Sequence, residues 1–452
     1  MNVIVIGAGF AGLAAAWRLQ RAGHEVSILE RRARAGGRIG CDVHEGVHLD
    51  HSLETLHAGD RHLLRWIGEL GLDAAMLPLR PIQIAQVRGR VSKPIDPQSL
   101  SGVAVIPGVG FRDAARLLRW PRLMARYRPF LDPTAPERAA SLDFRSVADF
   151  ARLYFGQSVY ERWIAPEVED VFGGEASETS RVSALLNWSA RSTGRGRSAF
   201  HGVTRRPLAE ITERAAELLP IRFEVEATRV EQAVASGRFA VHCEARTGGR
   251  GELEADAIVI ATAPREAGAL IAGIAVPAER DHLAAVAFAP EIVLSIALSR
   301  PPTGMPQRVR VPAVEDQPIQ SLLLEPGLDE GRAPRGAGLA VIRATERFAR
   351  AHAATTGQVV EKGLLAGLER LFPSVAASVE HSVLHRRADS VPRFDVGTYR
   401  ALERFRRVQA DRRALGRRLH FAGDHLIGPT VESSVVSGFR AAADLLADER
   451  AR

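Results

Sequence analysis

The sequence predicts an α/β fold, and three stretches carry that prediction. They are a strand, glycine turn, helix and strand at the N-terminus, an apolar run from Ala257 to Ile260, and a short strand feeding a long helix at the C-terminus. Asn2 to Ile6 is a β-branched run of the kind that fills a parallel strand buried on both faces. Gly7-Ala8-Gly9-Phe10-Ala11-Gly12 follows at once, then an alanine-rich helix to about Ala22, and Glu25 to Leu29 read as the second strand. Gly7 permits a tight turn, Gly9 lets the backbone approach a pyrophosphate with Phe10 and Ala11 beside it, and Gly12 allows close helix–strand packing. The helix start adds a partial positive charge where phosphates would lie. Glu30 closes the second strand 23 residues after Gly7, placed to bind ribose hydroxyls and to repel a 2′-phosphate. The unit is a Rossmann-type dinucleotide site.

Length and composition bound the rest. A chain of 452 residues is long for one core, so two domains are expected. Hydrophobic residues at 46% and charged residues at 25% are ordinary for a soluble enzyme. All but two of the 60 basic residues are arginine, the exceptions being Lys93 and Lys362. They are spread along the chain rather than run together, so the net charge of +7 does not point to nucleic acid. Cys41 and Cys243 stand in no paired or metal-ligand spacing, which predicts neither disulfide nor metal and fits a reducing cytoplasm. The N-terminal apolar run lacks a basic flank and is broken by glycines, so it does not read as a secretion signal. No run is long enough to span a bilayer.

Two further segments favour FAD over NAD. After Glu30 comes Arg31-Arg32-Ala33-Arg34-Ala35-Gly36-Gly37-Arg38, where the paired glycines allow another close approach and Arg38 can neutralise a pyrophosphate. At the other end, Leu419 to Ala422 lead into Gly423-Asp424, and a loop through Gly428-Pro429-Thr430 opens a helix from Val431 to about Ala447. Asp424 is placed for ribityl hydroxyls. The helix start at Thr430, Val431 and Glu432 would face the flavin N1 and O2 edge, which becomes anionic on reduction.

With these motifs in hand, the chain resembles the flavin amine oxidase and protoporphyrinogen oxidase superfamily from end to end. Phe223 to Glu231 is similar to that family's adenine-side strand, with Ala227 at the usual contact. Ala257 to Pro264, carrying Ala261 and Thr262, is similar to the strand and turn behind the cofactor. The resemblance implies a discontinuous FAD domain (1–80, 205–275, 385–452) and an inserted α+β substrate domain with a helical cap (81–204, 276–384). The family's Asp-x-Gly appears here as Asp50-His51-Ser52. Glu291 to Leu298 reads as a strand of the substrate sheet and Val359 to Leu371 as an amphipathic helix.

Within the superfamily the protoporphyrinogen oxidase branch fits best. Val171-Phe172-Gly173-Gly174-Glu175 and Val391-Pro392-Arg393-Phe394-Asp395-Val396-Gly397 resemble two of its segments. Amine oxidases carry a lysine near the flavin N5 where this chain aligns Val293, and an aromatic cage that the stretch from His425 to Val436 does not supply. The expected substrate is an apolar conjugated ring compound, carboxylated as a porphyrinogen is, with O2 or a quinone as acceptor. Arg80, Arg191, Arg195 and Arg197 are candidates for its carboxylates, and His57 is the candidate for moving a proton. An amine oxidase or polyene desaturase/isomerase is the alternative, and a flavoprotein with structural FAD at a membrane surface the non-enzymatic one. Phe111 to Phe130 mixes aromatics with arginines and reads either as a cap over the site or as a peripheral membrane contact. The cap is favoured, because Pro121 interrupts the helix. A homodimer is what the family suggests; nothing in the sequence argues for it.

Overall fold

The computed structural model describes residues 1–89, 91–95, 100–191, 201–233, 236–327 and 331–450. Five parallel strands form its first sheet, in the order Ile221–Phe223, Glu25–Glu30, Asn2–Ile6, Ala257–Ile260, Leu419–Phe421. The N-terminus, the middle and the C-terminal end of the chain each contribute, and the register pairs Val5 with both Ile28 and Val259. These strands are apolar on both faces because both faces are covered. Helix Phe10–Arg21 lies on one face against the closing helix Val431–Arg450. A Cβ at Gly438 would sit 2.2 Å from the Ala11 carbonyl oxygen, so only glycine allows these two helices to touch backbone to backbone. The opposite face is covered by an antiparallel sheet (Val225–Gln232, Phe239–Ala245, Arg250–Ala255) and helix Thr398–Ala414, through Val230, Phe239, Val241, Leu402 and Phe405.

A seven-stranded sheet forms the second layer, in the order Val379–Pro392, Phe288–Leu298, Gly338–Ala344, Ile319–Pro326, Arg308–Arg310, Ile84–Arg88, Val91–Ile95. Helix Gly357–Leu371 packs on it. Several expected boundaries move, among them the start of strand Phe288–Leu298, expected at Glu291. Strand Val379–Pro392 stays in this sheet seven residues beyond position 385, held by antiparallel pairing with Phe288–Leu298. The strand expected from Phe223 to Glu231 divides at Glu224, whose φ of 56° ends Ile221–Phe223 and turns the chain into the next sheet. The closing helix runs on to Arg450.

The stretch from Phe111 to Phe130 is broken into short helices that pack into an all-helical cluster through Leu117, Leu123 and Tyr127. Trp120 is its keystone, lying 4.3 Å from the Trp188 ring and 5.1 Å from Trp163. Pro121 does not break a helix here. It starts Trp120–Tyr127, in the first turn, where its missing N–H costs nothing. Phe111 and Leu118 remain 89% and 80% exposed, which leaves an apolar fringe on the cap. Among the described residues no helix is long and apolar enough to cross a membrane.

Candidate active site

One elongated cavity of about 840 Å³ runs from the parallel sheet to the seven-stranded sheet. Its first wall is the glycine turn. Gly7 adopts φ 104°, and a Cβ there would lie 2.8 Å from the Ala261 carbonyl oxygen. Gly9 is the N-cap of the first helix, with no side chain bonded to the helix start and no acid in the first turn. The amides of that turn therefore face the cavity without a competing carboxylate. Gly37 (φ 59°) stands opposite, its Cβ direction only 3.4 Å from the Gly9 Cα. The two glycine loops thus touch backbone to backbone with no side chain intervening, and the helix start beside them lines the cavity where a pyrophosphate would fit.

Gly7, Gly9, Phe10, Ala11, Glu30, Arg31, Gly36, Gly37, Arg38, Ala227, Ala261, Thr262, Gly423, Asp424, Thr430 and Val431 all line this cavity. The Glu30 carboxylate also accepts the amides of Ala8 and Arg32 at 2.9 Å each, which locks the turn to the strand end. Arg31 pairs with Glu266 at 2.8 Å. Two residues expected at the cofactor do not reach it. Gly12 lies behind the turn, where a Cβ would meet the Gly7 oxygen at 1.9 Å, so its part is helix–strand packing. Glu432 points away and accepts the amides of His62 (3.1 Å) and Leu63 (2.7 Å), capping helix Arg61–Glu69.

His57 is likewise not a wall residue. Its Nδ1 accepts the Gly59 amide at 3.1 Å, and its ring meets His201 edge-on at 5.1 Å; His201, unlike His57, lines the cavity. Arg80 is also displaced, since its guanidinium pairs with the buried Glu325 at 2.7 Å outside the cavity lining. Arg195, Arg197 and the side chain of Arg191 lie outside the described residues.

The far end of the cavity holds charged groups that sequence reasoning missed. Asp170 is gripped by Arg308 and by Arg310 (3.3 Å), and Arg310 also lies 3.6 Å from Glu167. Arg343 pairs with Glu291 at 3.1 Å and donates to the carbonyls of Asp170 (2.7 Å) and Leu53 (3.1 Å). Burial alone would raise the Asp170 carboxyl, but Arg308, Arg310 and Arg343 hold it far below the usual carboxylate range. Glu54 goes the other way: burial pushes it up to about 7, against the pull of Arg343. Burial lowers His425 to about 3, so this wall imidazole is neutral. The one signal in the sequence was the alternation Arg308-Val309-Arg310-Val311, which puts two charges on one face of a strand. In a chain so rich in arginine it does not stand out.

Val293, the position aligned with an amine oxidase lysine, is buried and off the cavity. Its partner on the neighbouring strand is Arg343, which does line it. No lysine, tryptophan or tyrosine lines the cavity among the described residues.

A family model described as flavin containing amine oxidoreductase matches residues 10–446. The chain belongs to that family. Members of that family are flavin-containing oxidoreductases, which implies a flavin, typically FAD, at the cavity described above. Among curated relatives the chain is 32% identical over 186 residues to the "Putative flavin-containing monoamine oxidase AofH" of Mycobacterium tuberculosis, a match spanning 41% of this chain and 39% of that one. It is 26% identical over 185 residues to the coproporphyrinogen III oxidase of Propionibacterium freudenreichii, spanning 41% of this chain and 34% of that one. These matches thus cover well under half of either relative. The crystal structure of cyclohexylamine oxidase from Brevibacterium oxydans superposes with a TM-score of 0.77 over 100% of this chain and 99% of that one, at 20% identity, a likeness of fold.

Proposed function

We propose that this family member oxidises a carboxylated, conjugated ring substrate of the porphyrinogen kind, with O2 taking the electrons and leaving as H2O2. The carrying observation is the wall built from Arg308, Arg310 and Arg343. Buried guanidinium groups that face a cavity recognise carboxylates with directional hydrogen bonds. The Nη1 of Arg308 is buried with no hydrogen-bond partner, an unmet donor at this wall. The lysine-free lining without tryptophan or tyrosine gives an amine no aromatic cage.

In this reading Glu30 and Ala227 would hold the adenosine, the Gly9-Phe10-Ala11 helix start and Gly36-Gly37-Arg38 the pyrophosphate, Asp424 the ribityl hydroxyls, and the helix start at Thr430 and Val431 the flavin ring. Bound FAD supplies a two-electron acceptor. The chain's own part is to hold the substrate by its carboxylates, to exclude water with Val171, Phe288 and Leu53, and to hold or release a proton at Glu54, whose acidity is set near neutrality.

The test is anaerobic bleaching of the FAD-loaded protein by coproporphyrinogen, protoporphyrinogen, a panel of amines and a polyene. Bleaching by a porphyrinogen, followed by peroxide on admitting air, is expected. Bleaching only by an amine, the alternative that the AofH relative favours, would overturn the reading, as would bleaching only by the polyene.

A further inference from the structure

Outside the cavity lining, two side chains of the N-terminal hairpin region and one from far along the chain converge on one point. Asp42 lies on strand Cys41–His44, His51 just past the paired strand Val47–Asp50, and His385 on strand Val379–Pro392. The His51 Nε2 is 3.0 Å from the Asp42 Oδ2, and the His385 Nε2 is 3.8 Å from the same oxygen. One ligand atom from each residue lies within 4.8 Å of the other two. The imidazole rings are tilted against each other at 4.1 Å, so both present their outer nitrogens on the same side.

We propose that Asp42, His51 and His385 bind one divalent transition-metal cation of the zinc, cobalt or nickel kind. Zinc holds nitrogen and oxygen ligands at about 2.0–2.2 Å, which in a tetrahedron puts them roughly 3.3–3.5 Å apart. The two separations from the Asp42 oxygen, 3.0 and 3.8 Å, bracket that value, and with the two imidazole nitrogens within 4.8 Å of each other, side-chain adjustment closes the site. Two imidazoles and one carboxylate suit borderline metals and disfavour calcium or magnesium, which take oxygen. The His385 Nε2 is buried with no hydrogen-bond partner, an unmet polar atom that a metal would satisfy.

Neighbouring cations do not fill the place. Arg387 is bonded to Glu291 (3.3 Å) and to the carbonyls of His51 (3.0 Å) and Arg38 (2.8 Å), and Arg34 to those of Ala35 (3.0 Å) and Ile39 (2.9 Å). The cation would tie the hairpin Cys41–Asp50 to strand Val379–Pro392, two elements with no strand pairing between them. Three protein ligands leave one position for water. A second pair, His44 and His381, stacks at 3.9 Å but brings no third ligand, and serves as an internal control.

The experiment uses untagged, FAD-loaded protein stripped with EDTA. ZnCl2 is titrated in by calorimetry, and CoCl2 is followed by its visible absorption. One equivalent per chain is expected, with a rise in Tm, and affinity at least tenfold weaker in His385→Ala and in Asp42→Asn but unchanged in His44→Ala. Asp42 is half exposed, so Asp42→Asn stays folded and carries the test should His385→Ala lose its flavin absorbance. Absence of zinc uptake by the wild type, or full uptake by Asp42→Asn, would overturn the proposal. Neither result touches the flavin reading.

Discussion

Arg38 and Asp424 form a 2.6 Å ion pair across 386 positions of sequence, joining the basic loop at the start of the chain to the closing strand at its end. Arg38 also donates to the Ser390 carbonyl, so one guanidinium ties the turn after the last parallel strand to strand Val379–Pro392 of the seven-stranded sheet. Replacing it by alanine removes a positive charge from the proposed pyrophosphate cleft and leaves Asp424 without its partner. We expect Arg38→Ala to weaken FAD binding about tenfold to a hundredfold, or roughly 1.4–2.8 kcal/mol. Quenching of flavin fluorescence on titration reads this directly.

The glycines of the first turn separate packing from binding. A Cβ at Gly12 would overlap the Gly7 oxygen, while one at Gly9 meets nothing within 4 Å. Gly12→Ala should therefore lower the Tm of the FAD-free protein, at about 1–3 kcal/mol or more of overpacking. Gly9→Ala should leave that Tm unchanged and weaken FAD binding, since its methyl enters the open cleft. Equal loss of apo stability in both variants would refute the distinction.

The carboxyl of Glu54 gives a pH signature. Burial raises it from 4.5 to about 7 in the folded chain. The protonated form is thus favoured by folding. Its contribution is whole below pH 4.5 and is lost as the pH rises through 7. Glu54→Gln should gain Tm relative to wild type across that window and run parallel above it. The same variant should erase a transition near pH 7 in the rate of flavin reduction by substrate, measured by stopped flow.

The Glu432 carboxylate caps helix Arg61–Glu69 and does not line the cavity, which makes its variant a control. Glu432→Ala should cost about 1 kcal/mol of stability through the orphaned amides of His62 and Leu63. Its Kd for FAD should stay within twofold of wild type. A larger loss would return Glu432 to the cofactor site.

The parallel sheet, the glycine turn and the two loops facing it were legible in the sequence because their chemistry is local. Gly7, Gly9 and Glu30 act within one strand–turn–helix unit, and a turn that needs φ 104° announces itself as glycine. The strand start at Phe288 and the division at Glu224 were missed by a few residues, where pairing and a positive φ decide rather than composition. Glu432 was misplaced because one step along a helix turns a side chain by about 100°. It faces Arg61–Glu69, whereas Val431 beside it faces the cavity.

By itself the sequence determined that a glycine turn and two helix N-termini from opposite ends of the chain meet at one cavity, since glycine spacing and β-branched runs encode backbone geometry directly. Only the tertiary structure decided which of the many arginines face the cavity, that His201 rather than His57 reaches it, and that Asp42, His51 and His385 meet. Most of those relations join residues more than a hundred positions apart through sheet register and packing. A side chain's type carries no information about such distant neighbours until the chain is folded.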